Sequence, residues 1–245
     1  MVDVCAEGPE ADVAVAAALQ EVAAVHALLS FHADDSELQM INRAAPGARL
    51  IVDTRTLAVL RHTAMLHAAS TGAFDCRVGA SYRTADRRFP VAFDGDIVEK
   101  RTCASMDLGG IAKGYAVDCA VEVLNSFNIE RGVVNAGGDL RHSGVRPMTV
   151  SVRSPRNAAQ VAASVSLDNA ALASSTAGGL GARANSTSRI YDAYGRFLPS
   201  LAGATVHAPT CVLADALTKV VLATGDTTHP LLTQYGAAVV VYSPA

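Results

Sequence analysis

Apolar residues recur every three or four positions between residues 10 and 29, at Val15, Leu19, Val22, Val25 and Leu29, the stripe of an amphipathic helix. The same spacing at Leu57, Leu60, Ala64 and Ala68 predicts a second helix, capped by Asp53 and ending just before Gly72. A third is predicted from about Lys113 to Asn125, burying Ala116, Ala120 and Val123, and a last one from near Ala214 to just before Gly225. Elsewhere the period shortens. "RGVVNAGGD" reads as a buried strand running into a glycine turn, whereas "MTVSVR" and "VAASVSL" alternate as half-buried antiparallel strands do. "RIYDAYGRFL" suggests a hairpin around Ala193 to Gly195, and "AAVVVYS" a closing strand. The mixture lacks a regular βαβ rhythm, which predicts an α+β sandwich of mainly antiparallel sheet with packed helices. No internal repeat, linker or low-complexity segment interrupts the 245 residues, so one compact unit over 1–245 is expected.

Composition narrows this picture. Half the residues are apolar but only 5% are aromatic and none is tryptophan, so the core has to be built from Ala, Val and Leu. A net charge of -3, with lysines and arginines dispersed, offers no basic stripe for a nucleic-acid backbone. Cys5, Cys76, Cys103, Cys119 and Cys211 form no C-x-x-C pair, which argues against a disulfide framework or a zinc knuckle and for buried free thiols. No uninterrupted apolar run approaches the ~18 residues of a membrane span, so no transmembrane segment is expected. The opening "MVDVCAEGPEADV" has neither the basic nor the apolar region of a signal peptide, which places the chain as given in the cytoplasm.

The candidate chemistry centres on "MDLGGIAKGYAVD", residues 106–118. It matches neither G-x-x-x-x-G-K-[ST] nor G-x-G-x-x-G, yet it combines glycine-freed amides, a helix N-terminus and the mobile cation of Lys113. Two readings stand: a packing device, with Asp107 capping a strand end and Asp118 solvated on the helix, or a phosphate cradle. "NAGGD" at 135–139 and "TGAFD" at 71–75 repeat the same glycine–aspartate character at the ends of apolar elements, as expected where strand ends converge on one polar ligand.

The order of "SELQMIN", "TGAFD", "MDLGGIAKGYAVD", "NAGGD" and "ADAL" (214–217) resembles the ApbE-like family, the FAD:protein FMN transferases, over nearly the whole chain. The resemblance implies a T-fold-like α+β architecture and bound FAD with Mg2+. It also implies transfer of FMN from FAD to a threonine or serine hydroxyl of a target flavoprotein, with release of AMP. By the same carry-over Asp215 is the metal aspartate, with Gly110 supplying a backbone oxygen. Ala73, Phe74, Asp75, Asp107, Lys113 and Asp118 would contact the flavin nucleotide, together with Asn135, Gly137, Gly138, Asp139 and Ile190. His32 falls where the family has a tyrosine; it can stack on a ring or simply sit in water.

Several departures bear on activity. The family's "HIIDPRTG" element, with its histidine base, is here "SRIYDAYG" at 188–195, leaving Asp192 as the nearest substitute or as a mere turn residue. A general base contributes about 10²- to 10⁴-fold in rate, so its loss need not abolish turnover. The family's metal-binding threonine is replaced by Lys219, which shares a helix face with Asp215 and can take over part of the metal's charge. Cys76 and Arg77 stand where proline and threonine are usual; Arg77 is either a surface arginine or a phosphate contact. The family's first strand is largely missing, and a start codon further upstream would bring a periplasmic or membrane-anchored location into play. Two functions follow: a flavin transferase, or an FAD-binding relative with weak or no transfer.

Overall fold

The computed structural model describes residues 1–78, 88–157, 159–177, 198 and 202–244. In chain order the elements are β1 (Val2–Glu7), α1 (Ala11–Leu29), α2 (Glu37–Arg43), β2 (Arg49–Ile51), α3 (Thr54–Ala69), β3 (Arg77–Val78), β4 (Val91–Asp94), β5 (Ile97–Lys100) and β6 (Ser105–Met106). There follow α4 (Ala112–Asn125), β7 (Arg131–Ala136), β8 (Asp139–Gly144), β9 (Met148–Arg153), β10 (Val161–Leu167), β11 (Ala171–Thr176), β12 (Gly203–Ala208), α5 (Cys211–Thr224), α6 (Pro230–Gln234) and β13 (Ala238–Ser243). They group into two compact units, Met1–Val22 with Lys113–Ala245, and Ala23–Ala112. The α+β class and the antiparallel sheet expected from the sequence are both present.

The first unit is organised by a six-stranded sheet in the order β1-β7-β8-β11-β12-β13, antiparallel at every junction. Strand β1 alternates because one of its faces is packed: Val2, Val4 and Ala6 turn to the core while Asp3, Cys5 and Glu7 face out. The core is as small-residued as the composition demands. Ala14 and Ala18 of α1 pack with Val117, Ala120 and Val121 of α4, Ala171 and Ala173 of β11, and Ala214 of α5. Short side chains let backbones approach closely, and Gly114 takes this furthest. A Cβ there would lie 2.3 Å from the carbonyl oxygen of Cys211 and 2.8 Å from Cβ of Asp215, so α4 and α5 touch at a point only glycine can occupy.

The second unit pairs β2, β5 and β4 into a small sheet and β3 with β6 into a second one. Helix α3 starts where expected, with the Asp53 carboxylate accepting the Arg55 amide at 2.8 Å, and Gly72 follows its end at φ +86°. Lys100 is fully buried and donates to the Ala104 carbonyl at 2.7 Å.

Several expectations need correction. The α5 helix begins at Cys211, a turn earlier than Ala214, and α2 was not foreseen, although Ser36 caps it by accepting the Gln39 amide. Of the five thiols, Cys76 and Cys211 are buried, whereas Cys5 and Cys103 are exposed. The 19 residues of α1 are long and apolar enough to cross a membrane by length and composition alone, as core helices of globular proteins also are. Ala14 and Ala18 of α1 are buried in the core of the first unit, so the expectation of no transmembrane segment is not overturned. The hairpin expected around Ala193 lies outside the described residues.

Gly114→Ala should cost ~1–3 kcal/mol or more of stability, since the added methyl meets backbone rather than a side chain that can swing away. Thermal or urea unfolding of the variant against wild type measures it. Gly137→Ala, whose Cβ would meet nothing within 4 Å, isolates the smaller cost of a positive φ.

Candidate functional site

Three elements of the first unit bring four charged side chains together. Helix α4 contributes Lys113, the start of β8 contributes Asp139, and α5 contributes Asp215 and Lys219. The Lys113 ammonium donates to Asp139 Oδ2 and lies 3.8 Å from Asp215 Oδ2. Lys219 donates to Asp215 Oδ1, and the Gly114 amide donates to Asp215 Oδ2 at 3.1 Å. Both carboxylates have no solvent exposure, while the Lys113 side chain is 51% exposed. The cluster therefore keeps its negative charges inside and shows an ammonium to solvent.

Burial and charge act against each other here. Burial would raise the Asp215 pKa, but Lys219 and then Lys113 outweigh it and hold Asp215 below the ordinary carboxylate range. Burial raises Asp139 to about 6, with the neighbouring Asp215 charge adding to it against the two lysines. Lys113 is pushed the other way: burial alone would lower it, and the Asp215 and Asp139 carboxylates raise it instead, so it stays charged at neutral pH. Asp139 Oδ1 is buried and has no hydrogen-bond partner among the described residues.

The glycine turn beside Asp139 was legible in the sequence. Gly137 (φ +64°) and Gly138 (φ +105°) form the two-residue loop between β7 and β8, and Asn135 Oδ1 accepts the Gly138 amide at 3.0 Å. A cleft of about 410 Å³ opens next to it, lined among others by Asn135, Gly137, Gly138, Arg153 and Ser175. That volume lies in the range of small-molecule sites.

Asp118, grouped with the nucleotide contacts above, is engaged elsewhere. Its two oxygens accept the Cys211 and Val212 amides, each at 2.8 Å, and Oδ1 also accepts Arg141 at 3.1 Å. Thr210, at the N-cap of α5, makes no side-chain cap. Asp118 thus caps α5 from a different helix, in place of the hydroxyl of Thr210 at the N-cap. Burial raises its pKa against the pull of those amides.

In the second unit, two of the glycine–aspartate stretches meet through β3 and β6. The Asp107 amide donates to the Cys76 carbonyl at 2.8 Å, and Asp107 Oδ1 accepts the Gly109 amide at 2.8 Å, so Asp107 shapes the turn that holds Gly110. Asn42, the last residue of "SELQMIN", clasps Met106 with two hydrogen bonds of 2.9 Å, a structural role the sequence reading did not assign. Asp75 is held by Arg77, whose Nη2 lies 2.6 Å from Oδ2 and whose Nε lies 3.0 Å from Oδ1. Arg77 is therefore buried and ion-paired, neither a surface arginine nor a waiting phosphate contact. Phe74 is buried, Ala73 is partly so, and the exposed His32 meets Phe31 edge-on at 5.6 Å. Ile190 and Asp192 lie outside the described residues.

The expected magnesium fits these residues poorly. Mg2+ wants near-ideal octahedral oxygen ligation, and both Asp215 oxygens already accept N–H donors. No group of three or more His, Cys, Asp and Glu suited to a metal occurs among the described residues.

Asp118→Ala should lower stability by ~1–2 kcal/mol, the usual cost of a lost N-cap. Faster hydrogen exchange at the Cys211 and Val212 amides is the local sign to look for, and Asp118→Asn, which keeps an acceptor, should lose less.

Three comparisons with known proteins bear on this arrangement. The family model described as ApbE matches residues 2–92 and 84–241. A curated "FAD:protein FMN transferase" of Vibrio cholerae serotype O1 is 26% identical over 155 residues, covering 52% of this chain and 46% of the relative. The chain spans about half the length of the curated relatives it matches. The fold is similar to that of the Pseudomonas stutzeri flavinyl transferase ApbE in its apo form, with TM-score 0.78 and 22% identity over 95% of this chain and 82% of that one. It is also similar to the ApbE protein of Thermotoga maritima, with TM-score 0.74 and 22% identity over 99% of this chain and 92% of the other. With most of its length matched by the family model, the chain belongs to the ApbE family.

Proposed function

We propose that the chain is an FAD:protein FMN transferase, which takes FMN from FAD and joins it to a threonine or serine hydroxyl of a target flavoprotein. The observation that carries this reading is the half-exposed Lys113 ammonium, held in place by two fully buried carboxylates, one of which, Asp139, directly follows the Gly137–Gly138 turn. A cation oriented in this way suits a diphosphate, whose transfer chemistry asks the protein mainly to position groups and neutralise charge. The name shared by the curated relatives supports the same substrate.

In the proposed reaction the acceptor oxygen forms a bond to the FMN phosphorus. The bond from that phosphorus to the oxygen bridging it to AMP breaks, and AMP leaves with the electron pair. Lys113 stabilises the charge that develops on the phosphate oxygens. Asp215 and Asp139 fix the position of Lys113 and keep it protonated. The hydroxyl proton passes to Asp192 in this reading, the carboxylate in the segment where the family carries a histidine. No step is assigned to magnesium, given the poor fit at Asp215.

Purified protein incubated with FAD and a threonine-bearing acceptor domain should release AMP and leave a covalently flavinylated acceptor, seen by chromatography and by in-gel fluorescence. Lys113→Met should lower kcat/KM by about 10²-fold, in the range found for removing one transition-state donor. Absence of both products with FAD bound would reject the transferase reading.

A further inference from the structure

Lys219 follows Asp215 by four residues on α5, so the two side chains share one helix face. Its ammonium donates to three acceptors: Asp215 Oδ1, the Asp215 carbonyl oxygen at 3.1 Å and Ser175 Oγ at 2.9 Å. An ammonium has three N–H bonds, so every donor is used. The neighbouring Thr218 is fully buried, and its hydroxyl is turned to the Asp215 carbonyl at 2.6 Å and to Ser175 Oγ at 2.8 Å. The cage is closed from α4 by the Gly114 amide on the second Asp215 oxygen.

This oxygen-lined position beside a buried carboxylate is where a cation is wanted, and the chain fills it with its own side chain. A divalent ion ligated by Asp215 would have to expel Lys219 or tolerate a positive charge a few ångströms away. Ser175 is also among the residues that line the cleft beside the glycine turn, whereas Lys219, Thr218 and Asp215 are not.

We infer that Lys219 is a tethered replacement for a divalent cation at Asp215, held by Ser175 and two oxygens of Asp215, and that this site excludes Mg2+ and Mn2+. Its consequence for catalysis, FAD handling independent of divalent metal, rests on the transferase reading above. The exclusion itself does not.

The test is a titration of the nucleotide-free protein with Mn2+, followed by electron paramagnetic resonance. Wild type should show no stoichiometric Mn2+ site that depends on Asp215. Lys219→Thr, which removes the ammonium and installs a hydroxyl ligand, should gain one site per chain, with affinity ~10- to 100-fold above wild type, the range by which metal-site supporting residues change affinity. Adding Asp215→Asn to that variant should abolish the gain. A wild-type Mn2+ site lost in Asp215→Asn would overturn the inference, as would folded Lys219→Thr that gains none. Should Lys219→Thr fail to fold, the wild-type titration against Asp215→Asn still decides.

A second arm measures FAD binding by flavin fluorescence in EDTA and in excess Mg2+. Equal affinities are expected for wild type, and a tenfold loss in EDTA would overturn the inference. If no FAD binds under either condition, the transferase reading fails while the Mn2+ arm still stands.

Discussion

A carboxylate with no access to water must be surrounded by donors if it is to stay ionised, and Asp215 is such a group. Its surroundings explain much of the first unit. The Gly114 amide can reach it only because a glycine lets α4 come within contact of α5, and Lys219 can reach it only because the two are one helical turn apart. Asp118 fixes the start of α5, and therefore the depth at which Asp215 is presented. Removing any one of these leaves a buried charge short of a partner, so the helix packing and the site share a single requirement.

The glycines of residues 106–118 show where sequence reasoning succeeds and where it stops. A cluster of glycines at a helix entrance means that the backbone must approach something closely. At Gly114 that something is the neighbouring helix, and the packing alternative was correct for this residue. A tight turn was instead legible at Gly137 and Gly138, where positive φ at two successive positions is a local property that the pair announces by itself. The contrast is physical: a turn is written in its own residues, whereas a close approach is written in two distant segments.

The same distinction sorts the rest. Helices α1, α3 and α4 were read within a residue or two because their apolar stripes are local, as is the Asp53 cap of α3. The start of α5 was missed although Thr210 stands at its N-cap, and the carboxylate that actually caps the helix is Asp118, far away in sequence. Arg77 was misjudged because a charged residue next to "TGAFD" gives no sign that Asp75 will fold back onto it and take it into the interior. The short strands β2 to β6 carry too few residues for any period to show. The pairing of Lys113 with Asp139 and Asp215 was anticipated only as a set of residues near one ligand; that they bond to each other is a three-dimensional fact.

The four-residue cluster carries no net charge when all its members are ionised, yet it is not electrically neutral toward a ligand. Both carboxylates are sealed from solvent, and the ammonium that reaches out is that of Lys113. An approaching anion meets the positive end of each ion pair first, while the negative ends lie deeper and are already compensated by Lys219 and the Gly114 amide. A mobile metal ion would give a similar outward field but would have to be bound before each encounter. A lysine anchored in the same helix as the carboxylate is always present, and its attraction for the carboxylate is fixed when the chain folds rather than set by the concentration of an ion. The ammonium of residue 219 therefore supplies the charge that compensates Asp215 from the polypeptide itself.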